Sequence, residues 1–187
     1  MDMFKEEQFG RFMSQTVEPY LRNYELDGYI HSYDEAAIFY RAYRIPQVKA
    51  AIVISHGFCE FSEKYKEVIY YFLKQGYSVY IPEHRGHGHS DRFVEDAEKV
   101  HIEDYEQYVM DFHFFIKKAV EPFEERKILF CHSMGGAIGA RYLEEFPLTF
   151  DAAVLSAPML GINTGKYPKW LARLTADFFC AIHMGEK

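Results

Sequence analysis

The chain reads as an α/β protein, a mostly parallel sheet with helices on both faces. Three observations predict this. From Ile52 onward, strand-like and helix-like segments alternate without a break, the order that a parallel sheet with crossover helices produces. The first strand of that stretch, Ala50-Ala51-Ile52-Val53-Ile54, is an unbroken apolar run, as suits a strand covered on both sides. Loops rich in Ser, His and Gly follow three of the strands, at the carboxyl ends where open α/β sheets hold ligands.

The elements follow in order. Apolar residues at spacings of three and four (Phe4, Phe9, Phe12, Met13, Val17, Tyr20, Leu21, Tyr24) predict a helical extension over residues 1–26, broken near Pro19. Tyr29–Tyr33 and Ala37–Tyr43 alternate polar with apolar and read as an antiparallel pair at a sheet edge, turning at Asp34-Glu35. After the buried strand at 50–54 comes a helix over Lys64–Gln75, with Gly76 as its stop. Tyr77–Ile81 is the next strand, ended by Pro82 and followed by the loop Glu83–Asp91. Ile102–Val120 is helical, with a packing stripe through Tyr105, Tyr108, Val109, Phe112, Ile116 and Val120. Lys127–Cys131 is a strand, Met134–Phe146 a helix and Ala152–Ser156 a strand. Beyond Pro158 a loop with Gly161, Asn163, Gly165 and Pro168 leads to a helix over Trp170–Ile182 with one strongly apolar side.

Composition bounds the rest. The 187 residues are 49% hydrophobic and 18% aromatic, ample for a packed core and contrary to disorder. A net charge of −7 offers no electrostatic footprint for nucleic acid. No apolar run approaches the roughly 20 residues of a membrane-spanning helix, and the start Met1–Glu7 lacks the pattern of a signal peptide. Three cysteines (Cys59, Cys131, Cys180) are odd and sparse, which points to a reducing, cytoplasmic setting.

The chemistry concentrates at Phe130-Cys131-His132-Ser133-Met134-Gly135-Gly136, where a buried strand passes into a helix. A sharp turn there lifts the Ser133 hydroxyl above the sheet, while Gly135 and Gly136 allow close backbone approach. Amide hydrogens at the helix start favour the negative charge of a tetrahedral intermediate. Cys131 holds a position that is usually glycine in the G-x-S-x-G form of this turn. The competing reading is a serine that merely caps a helix. Ser55-His56-Gly57-Phe58-Cys59-Glu60 supplies a second donor loop, with the Phe58 N–H partnering that of Met134.

His56-Gly57-x-x-Glu60, Arg85-Gly86-His87-Gly88-x-Ser90 and His132-Ser133-Met134-Gly135-Gly136 together resemble the monoacylglycerol lipase and lysophospholipase group of α/β-hydrolases, the neighbourhood of the S33 serine aminopeptidases. The resemblance runs from about Gly28 to Pro158 and includes Leu155-Ser156-Ala157-Pro158; Glu83 stands where the group usually has Asp. It implies Ser133 as nucleophile, Phe58 and Met134 as oxyanion donors, a lipid or small ester as substrate, and no cofactor. It also implies that residues 1–158 are the N-terminal part of the hydrolase core and that 159–187 begin a helical cap. The apolar side of the last helix then suits an acyl pocket, a transient contact with a membrane surface, or plain packing; all three stay open.

A serine needs a base, and the base an orienting acid, in the chain order Ser, acid, His. After Ser133 only His183 is available, preceded by Asp177, and six residues on one helix set them on opposite faces. His132 adjoins Ser133 but points elsewhere on the turn. The chain is therefore expected to be an N-terminal fragment lacking the triad acid and histidine, inactive by itself. Strand 152–156 then becomes an exposed apolar edge that invites self-association. Two alternatives remain: a metal-dependent hydrolase using His87, His89 and Asp91, and a non-catalytic binding protein on a hydrolase scaffold. Cys59 and Cys131 are expected to be buried small hydrophobes, and Glu95-Asp96-Ala97-Glu98 a solvated loop.

Overall fold

The structure, a computed structural model, describes residues 6–96, 98–161 and 163–182. Strands β1 (Glu25–His31), β2 (Ala37–Tyr43), β3 (Ala51–Ser55), β4 (Ser78–Pro82), β5 (Lys127–His132) and β6 (Ala152–Ser156) form one sheet in the order β1-β2-β4-β3-β5-β6. The four strands β4, β3, β5 and β6 run parallel, and β1 and β2 add an antiparallel edge. The helices are α1 (Phe9–Phe12), α2 (Glu18–Leu21), α3 (Lys66–Lys74), α4 (Glu106–Phe115), α5 (Met134–Glu145) and α6 (Lys169–Ala181).

Alternate strand residues sort to the two faces, as the two-residue period of a strand requires. Ala51, Val53, Tyr80, Leu129 and Cys131 meet α4 and α5 through Val109, Phe112, Ile138 and Tyr142. Ile52, Ile54, Val79 and Ile81 meet α3 and the N-terminal helices through Ile69, Leu73, Phe12, Val17 and Leu21. Every residue of β3 and β4 is buried, so their unbroken apolar runs are explained by cover on both sides. Fully burying one isoleucine such as Ile54 contributes roughly 1.5–3 kcal/mol.

Three local expectations need correction. Pro19 does not break the N-terminal helix: a π-helical turn over Met13–Val17 leads directly into α2, where Pro19 occupies the first turn and its missing N–H is not needed. Strand β1 begins at Glu25 rather than Tyr29, because Glu25 through Gly28 extend the ladder opposite Tyr43 through Tyr40. The helix expected from Ile102 begins at Glu106; its stripe does reach Val120, through a second π-helical turn, Ile116–Val120, which keeps Ile116 and Val120 buried.

On the far side, β6 is the outermost strand and largely exposed, with Val154 at 51%. Helix α6 buries no residue; Trp170, Leu174 and Phe178 all face outward.

Candidate active site

Ser133 sits between β5 and α5 with φ 52° and ψ −117°, a conformation that an L-residue adopts only under constraint. The constraint is visible in the backbone: its N–H donates to Ser156 O (3.1 Å), and its own carbonyl accepts from Gly136 (2.9 Å) and Met159 (2.9 Å). The turn is thus tied to the end of β6 and to the loop beyond it. The hydroxyl makes no capping bond to α5, so the helix-cap reading does not hold.

Two glycines let the turn exist. A Cβ on Gly135 would fall inside the carbonyl oxygens of Ser55 and His56, and one on Gly136 would come 2.7 Å from Pro158 Cα. Helix α5 therefore starts in backbone contact with the end of β3. The expected glycine at 131 is replaced by a buried cysteine, and the structure shows what makes room. A Cβ on Gly139, in the second turn of α5, would overlap Cys131 Sγ. Glycine on the helix thus leaves room for the sulfur on the strand.

The loop after β3 lies against the serine: a Cβ on Gly57 would be 3.2 Å from Ser133 Cβ. Among the described residues, neither the Phe58 N–H nor the Met134 N–H donates to any group. Among the described residues the Ser133 hydroxyl also has no partner, so the serine and the two segments that adjoin it each carry an unpaired polar hydrogen. Glu60 closes the loop, its Oε2 accepting from the Gly57 N–H (2.7 Å) and the Tyr65 hydroxyl (2.6 Å). Burial pushes its carboxyl up, but the bonds from Tyr65 and Gly57 outweigh that and leave it below the usual value. His56 is fully buried, with Nδ1 2.8 Å from Gly57 O and Nε2 accepting from the His84 N–H at 3.0 Å.

The loop after β4 is held by two buried charges. Glu83 accepts at Oε1 from the Ser62 N–H (3.1 Å) and hydroxyl (2.6 Å) and at Oε2 from the His89 N–H (2.6 Å); these bonds overcome burial and lower its pKa. Gly88 is required beneath it, since a Cβ there would overlap the carboxylate. Glu83 does this in place of the group's usual aspartate. Arg85, almost wholly buried, grips Asp111 through Nε and Nη2 (both 2.7 Å) and Asp34 through Nη1 and Nη2 (2.8 and 3.0 Å). Burial opposes the Arg85 charge, but the bonds to Asp111 and Asp34 raise its pKa. Asp34 is held low by its bond to Arg85, while burial pushes Asp111 up. The Arg85 hub does not follow from the motifs, because its partners Asp34 and Asp111 lie 51 and 26 residues away.

The other candidates are distributed as follows. His132 turns toward Glu60, Nε2 to Oε1 at 4.0 Å, and is part exposed. Asp177 lies on exposed α6 within 3.9 Å of Arg173, and His183 lies outside the described residues. The metal reading meets contrary geometry. His87 is buried with Nδ1 on the Arg85 carbonyl, His89 pairs with Glu83, and Asp91 accepts from the Ala37 N–H. Each of the three is engaged with a different partner, and among the described residues no three metal-ligating side chains come together. Cys131 is buried as expected, but Cys59 is exposed at φ 56°. Asp96 is tied up locally, accepting from the Glu98 N–H and pairing with Lys99.

A parallel sheet with an antiparallel edge, helices on both faces and a strained serine between β5 and α5 define an α/β-hydrolase. The family described as serine aminopeptidase, S33, matches residues 46–186, and the chain belongs to it. Its relatives include lysophospholipase L2 of Escherichia coli (strain K12), 35% identical over 141 residues that cover 75% of this chain and 41% of the relative. Monoacylglycerol lipase of Mycolicibacterium smegmatis is 32% identical over 66% of this chain and 43% of its own. Among solved structures, a thermostable carboxyl esterase from Bacillus coagulans superposes with a TM-score of 0.68 at 20% identity, covering 86% of this chain and 51% of its own. The chain thus spans about half the length, or somewhat less, of the proteins it matches.

Proposed function

We propose that the whole protein is a serine hydrolase of lipid carboxylic esters, a lysophospholipid or a monoacylglycerol, acting through an acyl-enzyme. One observation supports the reading: Ser133, held at a strained turn against the Gly57 loop, has no hydroxyl partner among the described residues, and the N–H groups of Phe58 and Met134 in the adjoining segments are unpaired there too. Ser133 Oγ attacks the ester carbonyl while a base takes its proton. The carbonyl oxygen becomes an oxyanion received by the two amides, each such donor being worth about 3 kcal/mol in the transition state. Collapse releases the alcohol, which takes the proton, and water then frees the fatty acid from Ser133.

The names of the relatives favour lipid esters over peptides. The base and its acid come from sequence outside the described residues, since neither His132 nor Asp177 is placed to serve. Residues 1–158 then form the nucleophile and oxyanion half of the core, and those from 159 begin a cap whose helix α6 offers an apolar side to an acyl chain or a membrane surface. The 187 residues alone are inactive on this reading.

Treatment of the whole protein with a fluorophosphonate tests it. Labelling should map to Ser133, and Ser133→Ala should lose both label and hydrolysis of monoacylglycerol or lysophosphatidylcholine. An unlabelled Ser133 in an active enzyme sinks the proposal.

A further inference from the structure

Gly57 connects β3 to the loop that carries the Phe58 amide, and both its backbone groups are held. Its N–H donates to Glu60 Oε2, and its carbonyl accepts from the Glu60 N–H at 3.2 Å and from His56. The direction of the histidine bond follows from chemistry. The His84 backbone N–H can only donate, so His56 Nε2, 3.0 Å away, must be the acceptor and the ring proton must sit on Nδ1. Nδ1–H therefore donates to Gly57 O at 2.8 Å.

The Gly57 carbonyl and the Phe58 N–H are the two ends of one trans peptide, and they point in opposite directions. His56 is completely buried, so the carbonyl it holds points into the protein. We infer that His56 is a positioning residue for the reaction: by drawing the Gly57 carbonyl inward, it turns the Phe58 N–H outward to the oxyanion beside Ser133. The Glu60 bonds close the loop on itself, whereas His56 sets the tilt of that loop against the sheet. Its Nε2 takes that reference from His84, whose own ring is 3.0 Å from Ser55 Oγ at the end of β3. The loops after β3 and β4 are thus locked together through one imidazole, 28 residues from the amide that orients it. Burial holds the His56 pKa at about 4, which keeps the ring neutral and Nε2 able to accept.

This inference rests on Ser133 being the nucleophile, and the test separates the two. Asparagine places its amide nitrogen where Nδ1 stands, whereas glutamine reaches the position of Nε2. In the whole protein His56→Asn should keep kcat within about 5-fold of wild type. His56→Gln should lower kcat about 10- to 100-fold with KM nearly unchanged, less than the roughly 10²–10³-fold of deleting an oxyanion donor outright. Equal losses in both variants, or a wild-type kcat in His56→Gln, overturn the positioning role while Ser133→Ala remains inactive. An active Ser133→Ala overturns the serine reading instead. Should a variant fail to fold, ¹⁵N spectra of the wild-type imidazole decide: a proton on Nδ1 supports the inference, and one on Nε2 overturns it.

Discussion

Replacing Gly139 by alanine tests how a cysteine fits two residues before Ser133. An alanine Cβ there would overlap Cys131 Sγ, approach Leu129 Cδ2 to 3.2 Å and lie 3.6 Å from Cys131 Cβ. Inside a helix alanine is favoured over glycine by about 1 kcal/mol, and overpacking a close-packed core costs about 1–3 kcal/mol. The overlap wins, and Gly139→Ala alone should destabilise by about 1–2 kcal/mol. In a Cys131→Ala background the sulfur is gone, the 3.6 Å contact is ordinary, and only Leu129 must give by a few tenths of an ångström. There the same change should be neutral or stabilising by up to about 1 kcal/mol. The coupling is about 2 kcal/mol, large for a pair in contact. Urea unfolding of the four proteins, with equal m-values, measures it. Additivity within about 0.5 kcal/mol would refute the idea that Gly139 makes room for the Cys131 sulfur.

Three further outcomes follow from the same contacts. Arg85→Leu strands the Asp111 carboxylate, 2% exposed, and should cost about 3–5 kcal/mol in thermal or urea unfolding; a loss under about 1 kcal/mol would contradict the clamp. His56, His84 and His87 are buried and all held below their ordinary pKa, so the unfolded chain binds more protons than the folded one below pH 6.5. Stability should fall as pH drops from about 6.5 to 4, by about 3 kcal/mol for His56 alone, and His56→Asn should flatten that limb; an unchanged slope argues against a neutral buried ring. The exposed edge of β6 should make the 187-residue chain, expressed by itself, associate in light scattering, and Val154→Lys should reduce this; a monodisperse monomer of the unmodified chain refutes it.

Most of the fold was legible because its signals are local. Strand β6 falls on the expected residues, and α5 and α6 lie within one residue of theirs, since apolar period and flanking turns are properties of a short stretch of chain. Pro19 misled because a π-helical turn just before it absorbs the break, and the start of β1 was hidden because Glu25 to Gly28 pair as a strand only opposite β2. The positions of Ser133, Phe58 and Met134 were legible for the same local reason: each follows a strand end that the apolar runs already mark.

The sequence by itself determined the order of strands and helices, and so the end of the sheet at which the Ser, His and Gly loops gather. The tertiary structure alone decided how each loop is held: Glu83 over Gly88, Arg85 between Asp34 and Asp111, Gly139 vacating space for Cys131, His56 on the Gly57 carbonyl. Periodicity reports which face of an element is buried. It carries no information on which distant side chain occupies the space opposite, because that depends on how the chain packs across the sheet.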